Sequence, residues 1–360
     1  METRIINLRE LDQEAASAVY AEAAAVIRSG GMVAFPTETV YGLGANALDE
    51  EASARIYAAK GRPSDNPLIA HIADKKQLYE IAEYVPDTAE LLMKTFWPGP
   101  LTMIFRKKEI VPYGTTGGLD TVAVRMPDHP VALSLIRAAG VPIAAPSANL
   151  SGRPSPTTAE HTAEDMDGRI EMILDGGPCE IGIESTIVDM TEDIPVILRP
   201  GYITQEMLCR LLGEVKVDQA LDPSRWKNFR PKAPGQKYKH YAPKAPMTLI
   251  EGNTTDVVKK ILELAEERIK ENKKVGIICT DETQDYYSQG VIRSIGSRIR
   301  MESVAHNLYD ILRTFDDIGV DMIYSEAFDF DELGYAIMNR MLKAAGHKVI
   351  RAGKTEEGTD

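Results

Sequence analysis

A basic, proline-rich segment about two thirds of the way along the chain constrains the fold most. Residues 223–246 read PSRWKNFRPKAPGQKYKHYAPKAP, with five prolines, seven Lys or Arg residues and no acidic residue. Proline fixes φ and has no amide hydrogen to donate, so this composition favours an extended connector over a helix or a central strand. The segment therefore predicts two folded regions joined by a semi-rigid linker.

The region before the connector alternates between predicted strands and helices. GMVAFPT, LTMIFRKK and TVAVRMP are typical of buried strands, and HPVALSLIRAAG is typical of an amphipathic helix. Short apolar segments bounded by Gly and Pro follow further along the chain. Interleaved hairpins disfavour a purely parallel sheet, so this region predicts a mixed α/β fold.

The region after the connector shows a cleaner alternation of strand and helix. MTLIEG, KVGIICT and VDMIYSEAF are predicted strands, separated by helical segments, as in a small doubly wound sheet. Because this region lacks GxGxxG, a domain that supports or regulates the linker is favoured over a nucleotide sensor. The predicted organisation is a first domain at 1–217, a linker at 218–246, a second domain at 247–346 and a polar tail at 347–360.

The overall composition limits the compartment and the partners. No apolar run approaches the roughly 20 residues that a membrane span requires, and the N-terminus lacks a secretory signal, so we expect a cytoplasmic protein. The three cysteines are too widely spaced for a disulfide framework or a zinc site and predict buried thiols. A net charge of −13 opposes general adhesion to nucleic acid, so any phosphate group must meet local positive charge.

Hydroxyl groups follow the first long apolar strand. Thr37 and Thr39 stand where GMVAFPT ends, and they precede Gly42 and Gly44. Each threonine alone could simply satisfy a turn, but the glycines would let the backbone approach a ligand closely. Ligands of α/β proteins bind at the carboxyl ends of strands, so we interpret Thr37-Glu38-Thr39 as the floor of a small polar pocket, with Glu38 instead orienting a neighbouring cation as the alternative.

Charged side chains interrupt apolar stretches further on. Lys60 and Arg62 lie on one side of a proline-containing turn and could neutralise phosphate or carboxylate oxygens, although an isolated pair is more often solvated. His71 lies in the apolar strand LIAHI, where a core residue is commoner than a catalyst. Arg125 interrupts another apolar strand and needs an anionic partner, either a structural carboxylate or a ligand.

A loop rich in hydrogen-bonding groups follows the predicted strand at 142–145. It carries Ser147, Asn149, Ser151 and Thr157, but it does not match GxxxxGK[ST]. The chain contains neither G-x-S-x-G nor HExxH. What remains are hydroxyls, amides and fixed cations, which suit the orientation of anionic reactants in a ligase-like or adenylyl-transferring site.

Six motifs in order resemble the YrdC-like threonylcarbamoyl-AMP synthases. They are PTETVYGLG, KGRPSDNPL, WPGPLT, PSAN with SG, ESTIVD and LRPG, and the linker PGQKYKHYAPKAP with LGYAIMNRMLKAAG resembles the two-domain members. The likeness runs from about residue 5 to residue 346. It implies an α/β protein with a YrdC-like mixed-sheet catalytic domain and a smaller Rossmann-like doubly wound C-terminal domain, joined by a Pro-rich basic linker.

The resemblance implies a nucleotidyltransferase. Members condense L-threonine, bicarbonate or CO2, and ATP to L-threonylcarbamoyladenylate and pyrophosphate, the first step of N6-threonylcarbamoyladenosine formation in tRNA that reads codons beginning with A. Mg2+ would accompany ATP, without assigned protein ligands, and a downstream threonylcarbamoyl-transferase complex acting on tRNA would use the product. No general base is assigned, and neither a membrane nor stable nucleic-acid binding is required. The alternative is an RNA-binding module or a translation factor without nucleotidyl transfer.

The resemblance also implies the residues of the site. The catalytic set is Lys60, Arg62 and Ser147. The L-threonine set is Thr39, His71, Arg125, Ser147 and Ser185. The ATP set is Arg62, Asn66, Thr121, Asn149, Thr157 and Arg199. Tyr238 of the linker would act as a lid on the ATP side, with a solvated basic spacer as the alternative interpretation of the linker.

Overall fold

The computed structural model describes residues 2–221, 233–234 and 240–353. The chain divides into two compact units, Met1–Ser151 with Ser155–Tyr238 and Gly152–Pro154 with Lys239–Asp360. Among the described residues, no helix has the length and the apolar composition needed to span a bilayer. The predicted boundaries at residues 217, 246 and 346 remain predictions.

The described part of the first unit is built on one mixed eleven-stranded sheet. Its order is β1-β8-β2-β3-β7-β4-β6-β5-β9-β10-β11. Its central strand pairs are of both kinds: β7 runs antiparallel to both β3 and β4, β4 and β6 are parallel, and β5 runs antiparallel to β6. The strands are β1 Arg4–Asn7, β2 Val33–Phe35, β3 Gly42–Asn46, β4 Ile69–His71, β5 Leu101–Arg106, β6 Thr121–Arg125, β7 Ile143–Ala144, β8 Met172–Asp175, β9 Thr186–Asp189, β10 Val196–Arg199 and β11 Lys216–Val217.

Side-chain caps fix where the helices of this unit begin. Asp49 accepts from the amides of Glu51 and Ala52, and Asp74 forms a capping box with Gln77, which satisfies amides that have no partner within the helix. The helix that carries Lys60 ends at Gly61, whose backbone adopts the left-handed conformation. The helices are α1 Gln13–Arg28, α2 Glu50–Lys60, α3 Lys75–Ile81, α4 Asp87–Phe96, α5 Tyr113–Thr116, α6 Pro130–Ala139, α7 Ala159–Met166 and α8 Gln205–Leu212.

The two faces of the central strands carry different side chains. Residues paired across neighbouring strands share a face, and successive residues alternate between faces. One face contributes to the largest apolar core, with Val122, Val124, Leu101, Met103 and Phe105. The other face, called the site face below, carries a row of paired residues, namely Ile143, His71, Arg125, Thr102 and Ile187.

The second unit contains a parallel five-stranded sheet of order β14-β13-β15-β12-β16. Ile277 packs on the side of α9, whereas a Cβ at the adjacent Gly276 would touch the ring of Phe315 in α10, so helices cover both faces. The strands are β12 Met247–Glu251, β13 Val275–Cys279, β14 Val291–Ser294, β15 Met322–Glu326 and β16 Val349–Arg351, and the helices are α9 Thr254–Lys270, α10 Met301–Ile318 and α11 Glu332–Ala344.

The predicted fold class is confirmed: a mixed-sheet domain is followed by a smaller doubly wound one. Two details differ from the sequence analysis. Gly42–Asn46, where the glycines were expected to leave room for a ligand, forms β3, and three residues of the predicted polar tail form β16 beside β12. Backbone pairing to neighbouring strands explains both, because it overrides the low strand propensity of glycine and of a polar terminus.

Candidate active site

Arg125 occupies the carboxyl end of β6 and is held from three directions. Its Nε donates to the carbonyl of Gly99 at 3.3 Å, and its Nη1 donates to Thr39 Oγ1 at 2.9 Å. Its Nη2 lies 2.7 Å from Glu38 Oε2, at an angle outside hydrogen-bond geometry. All three side chains are buried, so the strand end carries a fixed cation in contact with a carboxylate.

The turn after β2 builds this contact differently from the prediction. β2 ends at Phe35, and Thr37 Oγ1 donates to the carbonyl of Val40 at 2.7 Å, so Thr37 closes a turn. Thr39 is thereby turned toward Arg125. The glycines serve packing: a Cβ at Gly44 would lie 2.6 Å from the ring of Phe35, so the expected space for a ligand is filled by that ring.

His71 lies beside Arg125 on the site face. Its Nδ1 is 3.1 Å from the carbonyl of Ile69, and its ring meets Phe35 edge to face, with 6.4 Å between the ring centroids. Burial, and then the positive charge of Arg125, lower the pKa of His71 to about 3. The imidazole is therefore neutral at physiological pH.

A second hydroxyl and arginine cluster continues the same row. Ser185 Oγ is 2.7 Å from Thr102 Oγ1, and Thr102 pairs with Arg125 across β5 and β6. Arg199, at the end of β10, donates through Nε to the carbonyl of Ser185 at 3.0 Å and through Nη2 to its hydroxyl at 3.1 Å. Arg199 and Ser185, predicted for different ligands, are thus in direct contact.

Lys60 is buried at the end of α2 under the hydroxyl-rich loop. Its ammonium donates to the backbone carbonyls of Ser147 and Asn149 and lies 3.5 Å from Asn149 Oδ1. Ser147 Oγ donates to the same Oδ1 at 2.6 Å. Three predicted residues therefore form one cluster, in which the cation fixes the backbone of the loop.

Arg62 folds back over the turn that precedes β4. Its Nε donates to the carbonyl of Asn66 at 3.2 Å and its Nη2 to that of Pro67 at 3.0 Å. Because β4 and β6 are parallel, Asn66 and Thr121 lie at the starting end of this strand pair, whereas His71 and Arg125 lie at the other end. Four residues of strand separate Thr121 from Arg125 by about 13 Å.

Two predicted residues stand apart from these clusters. Within the described ranges, no hydrogen bond joins Thr121 or Thr157 to another member of the predicted set, and Thr157 Oγ1 lies 3.5 Å from His161 Nδ1. Tyr238 lies outside the described residues. No group of three or more His, Cys, Asp or Glu side chains is placed to hold a metal ion in the described part of the chain.

The apolar floor of the site face and the hydroxyl of Thr102 were not among the residues predicted from the sequence. Ile69, Ala123, Ile104, Ile187 and Leu198 form a buried cluster there, together with Ala233 of the connector. Thr102 belongs to the WPGPLT motif, but only its pairing with Arg125 and its contact with Ser185 give it a place in the site. Strand alternation within LTMIF was the available signal, since it places Thr102 on the face opposite Leu101 and Met103.

The fold and the site together define a class of protein. A mixed α/β domain presents two buried arginines and hydroxyls on one sheet face, beside a neutral histidine and an apolar floor, and a buried lysine fixes the hydroxyl-rich loop at 147–149. Such a surface suits a small anionic or zwitterionic molecule held by fixed charge, as in α/β enzymes of the group-transfer type.

Comparisons with known proteins specify the family. A family model described as telomere recombination matches residues 25–201, and one described as the C-terminal domain of threonylcarbamoyl-AMP synthase matches residues 203–346. The threonylcarbamoyl-AMP synthase of Bacillus subtilis is 52% identical over 332 residues, covering 92% of this chain and 94% of the relative. That of Pyrococcus abyssi is 50% identical over 349 residues, covering 97% and 99%.

A solved structure agrees with these matches. The crystal structure of P. abyssi Sua5 complexed with L-threonine superposes with a TM-score of 0.90 at 49% sequence identity, covering 97% of this chain and 99% of that one. The chain belongs to the two-domain threonylcarbamoyl-AMP synthase family. It is an enzyme of the nucleotidyltransferase type, as the motifs predicted.

Proposed function

We propose that this enzyme condenses L-threonine, bicarbonate or CO2, and ATP to L-threonylcarbamoyladenylate and pyrophosphate. The observation that supports this most is that Lys60, Arg125 and Arg199 are all buried in contact with hydroxyl-bearing residues in an otherwise acidic chain. The existence of a threonine complex of a relative 49% identical adds support for the amino acid.

The Arg125 end of the site is proposed to hold threonine. Arg125 would pair with the substrate carboxylate, while Thr39 and Ser185 supply hydroxyl partners for its polar groups. Neutral His71 adds no further cation, so the charge of the pocket stays balanced. Ala123 and the isoleucines around it offer an apolar surface for the threonine methyl group.

The other end of β4 and β6 is proposed to hold ATP. Arg62 and Lys60 would face the phosphate groups, where their guanidinium and ammonium charges offset the negative charge. The remaining ATP contacts are assigned to Asn66, Thr121, Asn149 and Thr157, and to Arg199, which contacts Ser185 of the threonine set and would reach ATP from the Arg125 end. Ser147, which donates to Asn149 beside Lys60, is assigned to the reacting groups.

The reaction joins two anions, and the residues act by placing charge. The threonine amine captures bicarbonate or CO2 as a carbamate, and a carbamate oxygen attacks the α-phosphorus and expels pyrophosphate. Two unit charges about 4 Å apart repel by roughly 4 kcal/mol at an effective dielectric constant near 20, so nearby fixed cations lower the barrier.

Mg2+ is proposed to enter with the nucleotide. The donor set of the site consists of cations, hydroxyls and amides, which fits phosphate oxygens and does not fit a metal held by the protein. The ion would then be bound by the triphosphate and water.

The wider context is also a proposal. The adenylate would pass to a threonylcarbamoyl-transferase complex that modifies the adenosine beside the anticodon in tRNA that reads codons beginning with A. We place the reaction in the cytoplasm and expect no stable complex with nucleic acid. Tyr238 would cover the ATP side and exclude water from the mixed anhydride.

Pyrophosphate release tests the reaction. Purified enzyme should release pyrophosphate from ATP only when threonine and bicarbonate are both present, and without RNA. Release that requires tRNA, or none at all, would favour the RNA-binding alternative.

The matched variants are Arg62→Ala and Arg28→Ala. Both arginines donate to backbone carbonyls, but Arg28 is an exposed residue at the end of α1. Arg62→Ala should lower kcat by about 10²- to 10³-fold or more, the range seen when one charge-stabilising donor is removed. Arg28→Ala should retain wild-type turnover, and equal losses in the two variants would exclude Arg62 from the site.

A further inference from the structure

Glu38 carries a buried carboxylate whose hydrogen-bonding capacity is unused. The residue is 5% exposed, and its Oε2 is 2.7 Å from Arg125 Nη2. Among the described residues, neither carboxylate oxygen accepts a hydrogen bond, and Arg125 Nη2 donates none. The pair is therefore in electrostatic contact while both partners retain unused hydrogen-bonding groups.

Such a pair is unusual in a protein interior. A buried carboxylate normally accepts several hydrogen bonds, and leaving a charged group without them is destabilising. The neighbours of Glu38 do not remove this deficit: Thr39 Oγ1 accepts from Arg125, and the Thr37 hydroxyl is turned to Val40. A ligand that carries both a cation and an anion would complete both halves of the pair.

We propose that Glu38 is the counter-ion of the substrate ammonium group and the first acceptor of its proton. This inference rests on the proposed function, because it assigns an unassigned step of that reaction. Arg125 would bind the carboxylate of the amino acid while Glu38 binds its ammonium group, and Glu38 is then a catalytic residue that touches the substrate.

Charge balance favours this arrangement. Arg125 and Glu38 are one cation and one anion, and His71 is neutral, so the pair and its histidine neighbour together carry no net charge before binding. An α-amino acid is a zwitterion, also without net charge. Its entry exchanges one poorly angled ion pair for an alternating array of four charges, in which each charge has an opposite neighbour.

The proton balance explains why an acceptor is needed. Threonine binds as R–NH3+, whereas the nucleophile toward CO2 is R–NH2. Transfer of one proton to the Glu38 carboxylate gives the free amine and a carboxylic acid. The amine nitrogen then bonds to the carbon of CO2 as the carbamate forms, and the second amine proton combines with the hydroxide that bicarbonate releases when it yields this CO2, so that both leave as water.

Three titratable groups face Glu38 from other elements. Arg125 comes from β6, His129 caps α6, and Cys179 lies in the segment whose neighbour Ile181 donates its amide to the Glu38 carbonyl. Burial raises the pKa of Cys179 well above its usual range, so this thiol stays protonated. Burial lowers the pKa of His129, while Glu38 acts to raise it, so His129 is largely neutral at pH 7.

Binding of two ligands without ATP separates this role from a structural one. The probes are L-threonine and 3-hydroxybutanoate, which keeps the carboxylate and the hydroxyl but lacks the ammonium group, each measured by calorimetry. The wild type should bind threonine about 10- to 100-fold more tightly, the range for a hydrogen bond to a buried charge. Glu38→Gln should bind the two within about threefold.

The contrary results are distinct. If Glu38 only orients Arg125, Glu38→Gln weakens both ligands by the same factor, which overturns the proposal. Equal affinity of the wild type for the two ligands overturns it without any variant. The matched control is Glu171→Gln, which alters another glutamate–arginine pair, with Arg55, at the opposite end of β2, and it should leave both affinities unchanged.

A pH series tests the proton transfer. More of the amine is a free base in solution as pH rises, so pyrophosphate release by Glu38→Gln should approach that of the wild type between pH 7 and pH 9. A constant ratio over that range overturns the assignment of Glu38 as proton acceptor. If the wild type releases no pyrophosphate, the proposed function fails, while the binding comparison still decides whether Glu38 recognises an ammonium group.

Discussion

Two glutamate–arginine pairs with buried glutamates, one in each unit, have the same separation and different surroundings. Glu38 and Arg125 are 2.7 Å apart in the first unit, and so are Glu326 and Arg298 in the second. Both glutamates are almost inaccessible, at 5% and 1% exposure. The distance alone therefore does not distinguish them.

The hydrogen bonds do distinguish them. Glu326 Oε1 accepts from Thr283 Oγ1 at 2.5 Å and from Tyr287 OH at 2.9 Å, and its Oε2 accepts from Arg298 Nη2 at 2.7 Å. Arg298 also donates to the carbonyl of Ala327 and lies over the ring of Phe328, although its Nε has no acceptor among the described residues. The Glu38 carboxylate has no comparable bond.

The comparison shows what an internal ion pair is for in each unit. The Glu326 carboxylate uses its oxygens as acceptors within the fold, so it fixes the ends of β13 and β15 and has no acceptor left for a ligand. A carboxylate and a guanidinium with unused groups store no such stability, because desolvation offsets their attraction. They become favourable when a ligand supplies the missing partners.

The largest effect should come from removing the arginine of each pair. Arg125→Ala should lower kcat/KM for pyrophosphate release by about 10²- to 10³-fold, because the substrate carboxylate loses its partner and Glu38 is left unpaired. Arg298→Ala should stay within about threefold of the wild type, since that pair is bonded within its own unit. Steady-state kinetics under conditions where both variants are folded measures this, and comparable losses would break the distinction.

Much of the fold and of the site could be predicted from the sequence because the signals are local. The alternation of strands and helices depends on neighbouring residues, and Arg125 within TVAVR is visible as a charge in an apolar strand. Glu38 was likewise a candidate to orient a cation. Such features do not depend on how distant segments meet.

The rest depended on contacts between residues far apart in the chain. Arg125 meets Thr39 across 86 positions, and Ser185 meets Thr102 across 83. Register between strands is set by packing of whole faces, and a shift of one residue would turn Thr102 away from the site. The end of β2 at Phe35, which turned Thr37 into a turn residue, is likewise fixed by pairing with β3.

The pH dependence of stability tests whether His71, the neighbour of Arg125, is held neutral in the folded protein. Its folded pKa of about 3 lies below the ordinary 6.5, so the folded state binds fewer protons than the unfolded state between these values. Keeping His71 neutral therefore adds its full contribution to the free energy of unfolding above pH 6.5, and this contribution is lost as pH falls toward 3. At pH 5 the loss is about 2 kcal/mol.

Urea unfolding at several pH values measures this contribution. His71→Asn should lose less stability than the wild type between about pH 6.5 and pH 5, because it lacks the group that the unfolded state protonates. Parallel stability curves for the two proteins would mean that His71 is not held neutral beside Arg125. Thr283→Val, which removes a bond from the Glu326 pair, is the control and should shift the curve without changing its slope over this range.

The smallest effect concerns the glutamates themselves. Glu326→Gln should destabilise β13 and β15 by about 1.4 kcal/mol, since the charged acceptor of three hydrogen bonds becomes neutral. Glu38→Gln should change the stability of its own unit by less than Glu326→Gln changes that of the other, because the Glu38 carboxylate accepts no bond that the amide would lose and Arg125 keeps its bonds to Gly99 and Thr39. Hydrogen–deuterium exchange followed by peptide mass analysis reads each unit separately, and the first change corresponds to roughly tenfold faster exchange. If Glu38→Gln accelerated exchange around β2 and β6 as strongly as Glu326→Gln does around β13 and β15, Glu38 would be a structural partner of Arg125, and the two pairs would have the same role.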